Sequence, residues 1–113
     1  MARATPLFHL ALADEWLAAV RGGEHYDRST VGASLAEVGF IHCSFAEQVG
    51  PTRQRYYADR SDVVLLEIDP DRLVDVEVRV EDLHGTGEAF PHLYGPLPLD
   101  AVVEARHLGP EDL

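Results

Sequence analysis

A chain of 113 residues has room for one domain with a hydrophobic core of its own. Its 9 Lys+Arg against 20 Asp+Glu leave a net charge of −11, a field that repels polyanions and so excludes general nucleic-acid and anionic-membrane binding. The single cysteine, Cys43, excludes an internal disulfide and a four-cysteine metal site.

The first six residues lack a signal peptide's apolar core, so a reducing cytoplasm is the expected setting. Residues 7–11 read as a first strand. Asp14 is placed to cap a helix over 15–21 with Trp16, Leu17 and Val20 on its apolar side, stopped by Gly22-Gly23. Residues 24–30 are polar apart from Tyr26 and predict an exposed loop. Ser29 or Thr30 is expected to cap a short helix ending at Val38.

Residues 40–43 predict a strand. Ser44 and Glu47 have the spacing of a capping box, so a helix is expected at once, broken by Gly50-Pro51 and resumed over 52–58. Residues 63–68 are apolar on both faces and predict a central strand. Residues 74–81 alternate strictly, as a strand with one wet face does. A loop over 82–88, a strand over 90–94, a turn at 95–98 and a strand over 101–108 complete the chain. About six short strands and two or three early helices make an α+β class with a small, bent, mostly antiparallel sheet.

Two segments set a histidine in an apolar run: Gly39-Phe40-Ile41-His42-Cys43-Ser44 and Phe90-Pro91-His92-Leu93-Tyr94-Gly95-Pro96-Leu97. An unpaired imidazole there costs roughly 1–3 kcal/mol, so each is hydrogen-bonded or functional, and two strands meeting at one site are expected. Alternation puts Phe40 and His42 on one face and Ile41 and Cys43 on the other, which leaves Cys43 badly placed for activation by His42. Ser44 is either a cap or a ligand contact. Tyr94 shares a face with His92, and Glu88 is the nearest carboxylate in sequence to that motif. His9 is a third lone strand histidine. His9, His42 and His92 are compatible with a three-imidazole zinc site, although no H-x-x-x-H or H-E-x-x-H spacing marks one. Trp16 and Tyr26 offer rings for stacking on a planar ligand. A small anion is admissible where Arg53 or Arg55 lines a pocket.

On these residues the chain resembles a bacterial and plant family known as domain of unknown function number 952. The likeness spans nearly the whole length, through Leu7-Phe8-His9-Leu10, Trp16, the two histidine segments and residues 64–69. It is more distantly similar to the ADP-ribosyltransferase-like superfamily, which includes the tRNA 2′-phosphotransferases. That resemblance implies a split sheet with NAD in the cleft, His9 at the adenosine ribose or a phosphate, and His42 and Ser44 on the nicotinamide side. His92 stands where the superfamily commonly carries a glutamate, with Glu88 nearby, and a neutral imidazole stabilises a developing cation less well. The expectation is an NAD-binding or ADP-ribose-binding protein that cleaves the nicotinamide–ribose bond with His42, His92 and Glu88. In it His9, Ser44, Tyr94 and Tyr26 position the nucleotide. A non-catalytic metabolite-binding module and a histidine-metal hydrolase are the alternatives.

Overall fold

The computed structural model describes residues 5–23, 25–29 and 33–109. In chain order they form β1 (Leu7–Leu12), α1 (Ala13–Gly22), β2 (His25–Tyr26), α2 (Leu35–Val38), β3 (Ile41–His42) and α3 (Val49–Tyr57). There follow β4 (Val63–Ile68), β5 (Glu77–Glu81), β6 (Phe90–Tyr94), β7 (Leu97–Pro98) and β8 (Val102–Leu108). Two three-stranded antiparallel sheets, ordered β1-β4-β8 and β3-β6-β5, are accompanied by the small β2-β7 pair. The result is a small α+β fold. Among the described residues no helix is long and apolar enough to cross a membrane.

The sheets meet at a seam. Phe8 N–H donates to the Ser44 carbonyl at 2.8 Å, and Ser44 N–H donates back to the Phe8 carbonyl at 2.7 Å. Beneath it lies the core of Leu7, Ile41, Cys43, Leu66, Ile68, Leu93 and Leu97. β4 is central because Val63, Val64, Leu66 and Ile68 are all buried, and β1 and β8 cover both its edges.

Several local expectations are corrected. α1 begins at Ala13 without a side-chain cap; Asp14 lies in its first turn, where a carboxylate favours the helix dipole. Leu17 and Val20 are exposed and only Trp16 and smaller residues of α1 touch the core. Residues 25–26 form β2 rather than a loop, and Tyr26 is fully buried. The cap of α2 is Ser34, which forms a capping box with Glu37, and not Ser29; Thr30 lies outside the described residues. Ser34→Ala is expected to lower stability by about 1 kcal/mol, read as a fall in the thermal midpoint. Ser44 caps nothing: Phe45 N–H is bonded by Gln48 Oε1 at 3.0 Å, and a 3₁₀ turn leads into α3. Gly50-Pro51 does not break α3, because Pro51 lies in the first turn, where amide protons have no helical acceptor.

The alternating stretch is a strand only from Glu77. Asp75 adopts φ 61° just before it. Its valines are largely exposed, because β5 overhangs the end of the core as an edge strand.

Candidate functional site

β3 and β6 bring the two histidine segments face to face. His42 is directly opposite His92, with ring centroids 5.4 Å apart. Phe40 stacks on His92 at 4.2 Å and Phe90 lies 5.0 Å from His42. Alternation sends Ile41, Cys43 and Leu93 into the core and leaves this aromatic row on the other face.

β5 adds the charge. Glu81 Oε1 lies 3.0 Å from His92 Nδ1 and accepts from the Tyr94 hydroxyl at 2.5 Å. These two bonds, Tyr94 first, hold the Glu81 carboxyl below the usual carboxylate range, and the same bond pushes the Tyr94 hydroxyl up. The Arg79 guanidinium sits 4.3 Å over the Tyr94 ring. A carboxylate thus orients His92 through Nδ1, leaving Nε2 for other work.

The backbone of His42 is gripped from its outer side. Its N–H donates to Ser29 Oγ at 3.2 Å, and its carbonyl accepts from His9 Nδ1 at 2.7 Å. A carbonyl only accepts, so His9 carries its proton on Nδ1 and its Nε2 accepts from the Tyr26 hydroxyl at 2.9 Å. Burial holds His9 neutral, with its pKa lowered to about 4. That of His42 also falls to about 4, through burial and then the neighbouring His92, His9 and His84. Unlike His9, His42 has a buried Nε2 with no hydrogen-bond partner among the described residues.

Three recesses share His42 and Tyr56. One of about 220 Å³ is lined by Phe40, His42, Glu81, Phe90, His92 and residues of the following loop. Another of about 80 Å³ runs past Thr52, Arg55 and Glu88. The third, at His9 and Ser44, is only about 10 Å³, room for one water. A wider open hollow of about 660 Å³ lies between α1 and β2, but there Arg28 is already paired with Glu15 at 2.7 Å.

The structure therefore gathers His42, His92 and Tyr94 at one face. Ser44 lies beneath them, with Oγ 3.5 Å from Thr52 Oγ1. His9 and Tyr26 are interior, and their polar atoms bond each other or the backbone, so Tyr26 has no ring face open for stacking on a ligand. Glu88 accepts from Gln48 Nε2 at 3.2 Å on the other side of His42, away from the His92 pair. The carboxylate beside His92 is Glu81. Its alternating, charged context reads as solvated surface, and only the pairing of β5 with β6 reveals it. Arg53 is buried with Nη2 on the Gly109 carbonyl at 2.8 Å; Arg55 is the arginine that lines a recess. Among the described residues no three His, Cys, Asp or Glu side chains are grouped to hold a metal, so His9, His42 and His92 form no zinc site. Cys43 is fully buried, which pushes its thiol pKa up and leaves it inert.

Residues 10–105 match the model of a family described as "Protein of unknown function (DUF952)". Among solved structures, the chain is similar to the crystal structure of protein CC0527 from Caulobacter crescentus. Identity is 31% and the TM-score 0.78, over 92% of this chain and 86% of that one. The solution NMR structure of CC0527 gives 28% identity and a TM-score of 0.75, over 94% and 86%. No curated protein matches the chain.

Proposed function

This chain belongs to the DUF952 family of proteins of unknown function, and from that starting point we propose that it binds NAD, or an ADP-ribose-like nucleotide, in the recess between β3 and β6. The observation that carries this reading is the buried, unpartnered His42 Nε2 in an aromatic-lined recess beside an ionised carboxylate. A neutral imidazole offers a donor and an acceptor to an amide or a ribose hydroxyl. The rings of Phe40 and Phe90 favour a flat cationic group such as a pyridinium. The two recesses beside His42 together reach about 300 Å³, the lower end of small-molecule sites, and Arg55 supplies positive charge for a phosphate. The resemblance of His9, His42 and Ser44 to the pattern of ADP-ribosyltransferase-like proteins, from which His92 departs, favours NAD among flat ligands.

The chemistry this arrangement suits is loss of nicotinamide. The C1′–N bond breaks and its electron pair leaves with the ring nitrogen, neutralising it. Water adds at C1′ and gives its proton to His92 Nε2 and thence to solvent, while Glu81 stabilises the oxocarbenium-like charge. A binding module without chemistry is the second reading. It is favoured by His9, whose two ring nitrogens are taken internally and which leaves the adenosine end no built contact.

Titration of labelled protein with NAD is expected to shift the His42 and His92 imidazole resonances saturably. His42→Ala should weaken binding at least about tenfold, the loss of one or two buried hydrogen bonds. Unchanged affinity in that variant overturns the site. Nicotinamide release measured chromatographically separates catalysis from binding alone.

A further inference from the structure

We propose that the outer edge of β5 is a self-association surface, on which a second copy of this chain adds its own β5 antiparallel. The direction of the hydrogen bonds along β6 leaves this edge open, whatever the recess binds. Cys43 N–H donates to the Pro91 carbonyl, so the odd-numbered residues of β6 bond β3 and the even-numbered ones bond β5. Glu77, Arg79 and Glu81 therefore face β6. Val78 and Val80 turn their N–H and C=O groups outward, where no described residue takes them.

An open edge of this kind is normally guarded by charged side chains, lysine above all, by proline or by a bulge. β5 has no proline and pairs without a register shift, and the chain contains no lysine at all. The charges of β5, on Glu77, Arg79 and Glu81, lie on the face shared with His92 and Tyr94, and its other face is apolar, with Val78 38% and Val80 56% exposed. An open strand edge with two exposed valines on one face is a surface that gains by being covered.

The strand is also complementary to itself. A two-fold axis at Val78 sets Val78 against Val78 of the partner subunit and Val80 against the partner's Val76. It sets Glu77 opposite the partner's Arg79, and Arg79 opposite the partner's Glu77. Both residues are half exposed and already attract each other within one chain at 2.9 Å. Opposite charges directly across antiparallel strands are favourable, and symmetry doubles the pair; the same register brings Glu81 towards the partner's Asp75, a like-charge approach that weakens the dimer. The net charge of −11 on each copy opposes the approach. A five-residue strand buries less than the roughly 1,200 Å² of a stable interface, so the dimer is weak and tightens as salt screens the repulsion.

Sedimentation of the full chain from about 10 μM to about 1 mM, at low and high salt, tests this. A reversible monomer–dimer equilibrium that strengthens with salt is expected, and Val80→Lys, at a half-exposed site, should leave a monomer with native circular dichroism. A wild-type monomer throughout, or a dimer that survives Val80→Lys, overturns the proposal. Should Val80→Lys perturb folding, charge reversal decides the matter. Glu77→Arg is expected to weaken the dimer at least about tenfold, and adding Arg79→Glu to restore it. Failure of the double variant to recover association overturns the pairing.

Discussion

Replacing His9 with alanine is expected to cost about 3–5 kcal/mol, a large share of the stability of a domain this size. Two effects combine. The Tyr26 hydroxyl and the His42 carbonyl lose their partner inside the protein, each worth about 1–3 kcal/mol when left unsatisfied, and the vacated ring leaves a cavity. His9→Asn keeps an N–H donor for the carbonyl and should recover part of the loss. Urea denaturation of the three proteins measures this. A cost under about 1 kcal/mol for His9→Ala would mean that water enters and bonds both groups instead.

The same burial makes the fold sensitive to mild acid. In the unfolded chain an imidazole titrates near 6.5, whereas His9 and His42 in the fold have pKa values lowered to about 4. Above 6.5 both states hold neutral rings and these groups give no pH dependence. Between 6.5 and 4 the unfolded chain binds protons that the fold refuses, so stability falls as pH falls. His9 alone is worth about 3 kcal/mol across that window, and His42, partly exposed, somewhat less. The depressed carboxyls of Glu81, Glu77 and Asp82 act in the same sense only below the unfolded carboxylate range, near 4.5. A drop in urea midpoint already evident between about pH 6.5 and 5 therefore belongs to the histidines. A flat profile there would show that the rings gain protons without unfolding.

Elements with a strong local signal were legible in the sequence. β4 and β6 occupy the expected residues, because a continuous apolar run and a Pro-and-Gly-bounded segment each leave one workable structure. β2 and β7 carried no such signal. Two-residue strands have no periodicity, and Tyr26 is buried only because His9 and Leu97, distant in sequence, come to meet it. Capping was misplaced wherever a nearby residue competed. Ser34 with Glu37 outdid Ser29, and Gln48, reaching back to Phe45 N–H, took the role expected of Glu47, one residue further along than Ser44 and Glu47 would place it. The opposition of His42 and His92 could be anticipated from two matching patterns. The partners that give them chemistry could not, since Glu81, Phe40 and Phe90 come together only through strand pairing.

That is why the carboxylate to replace is Glu81 and not Glu88. If the protein cleaves NAD, Glu81→Gln is expected to lower nicotinamide release by about 10²–10³-fold, the loss typical for removing one preorganised electrostatic group. Glutamine keeps an oxygen that can accept from Tyr94 and His92, so the fold and the resting NAD affinity should change little. What it removes is the negative charge that two hydrogen bonds maintain beside the recess. The effect should therefore fall on turnover and not on KM. Glu88→Gln removes a carboxylate whose described partner is the Gln48 amide, and it should leave turnover nearly unchanged. Equal losses in the two variants would move the cationic centre to the Arg55 side of His42, between both carboxylates. A loss of affinity without loss of turnover would make Glu81 a binding group for the positively charged ring, because a charge that acts equally on bound ligand and transition state cannot accelerate the step between them.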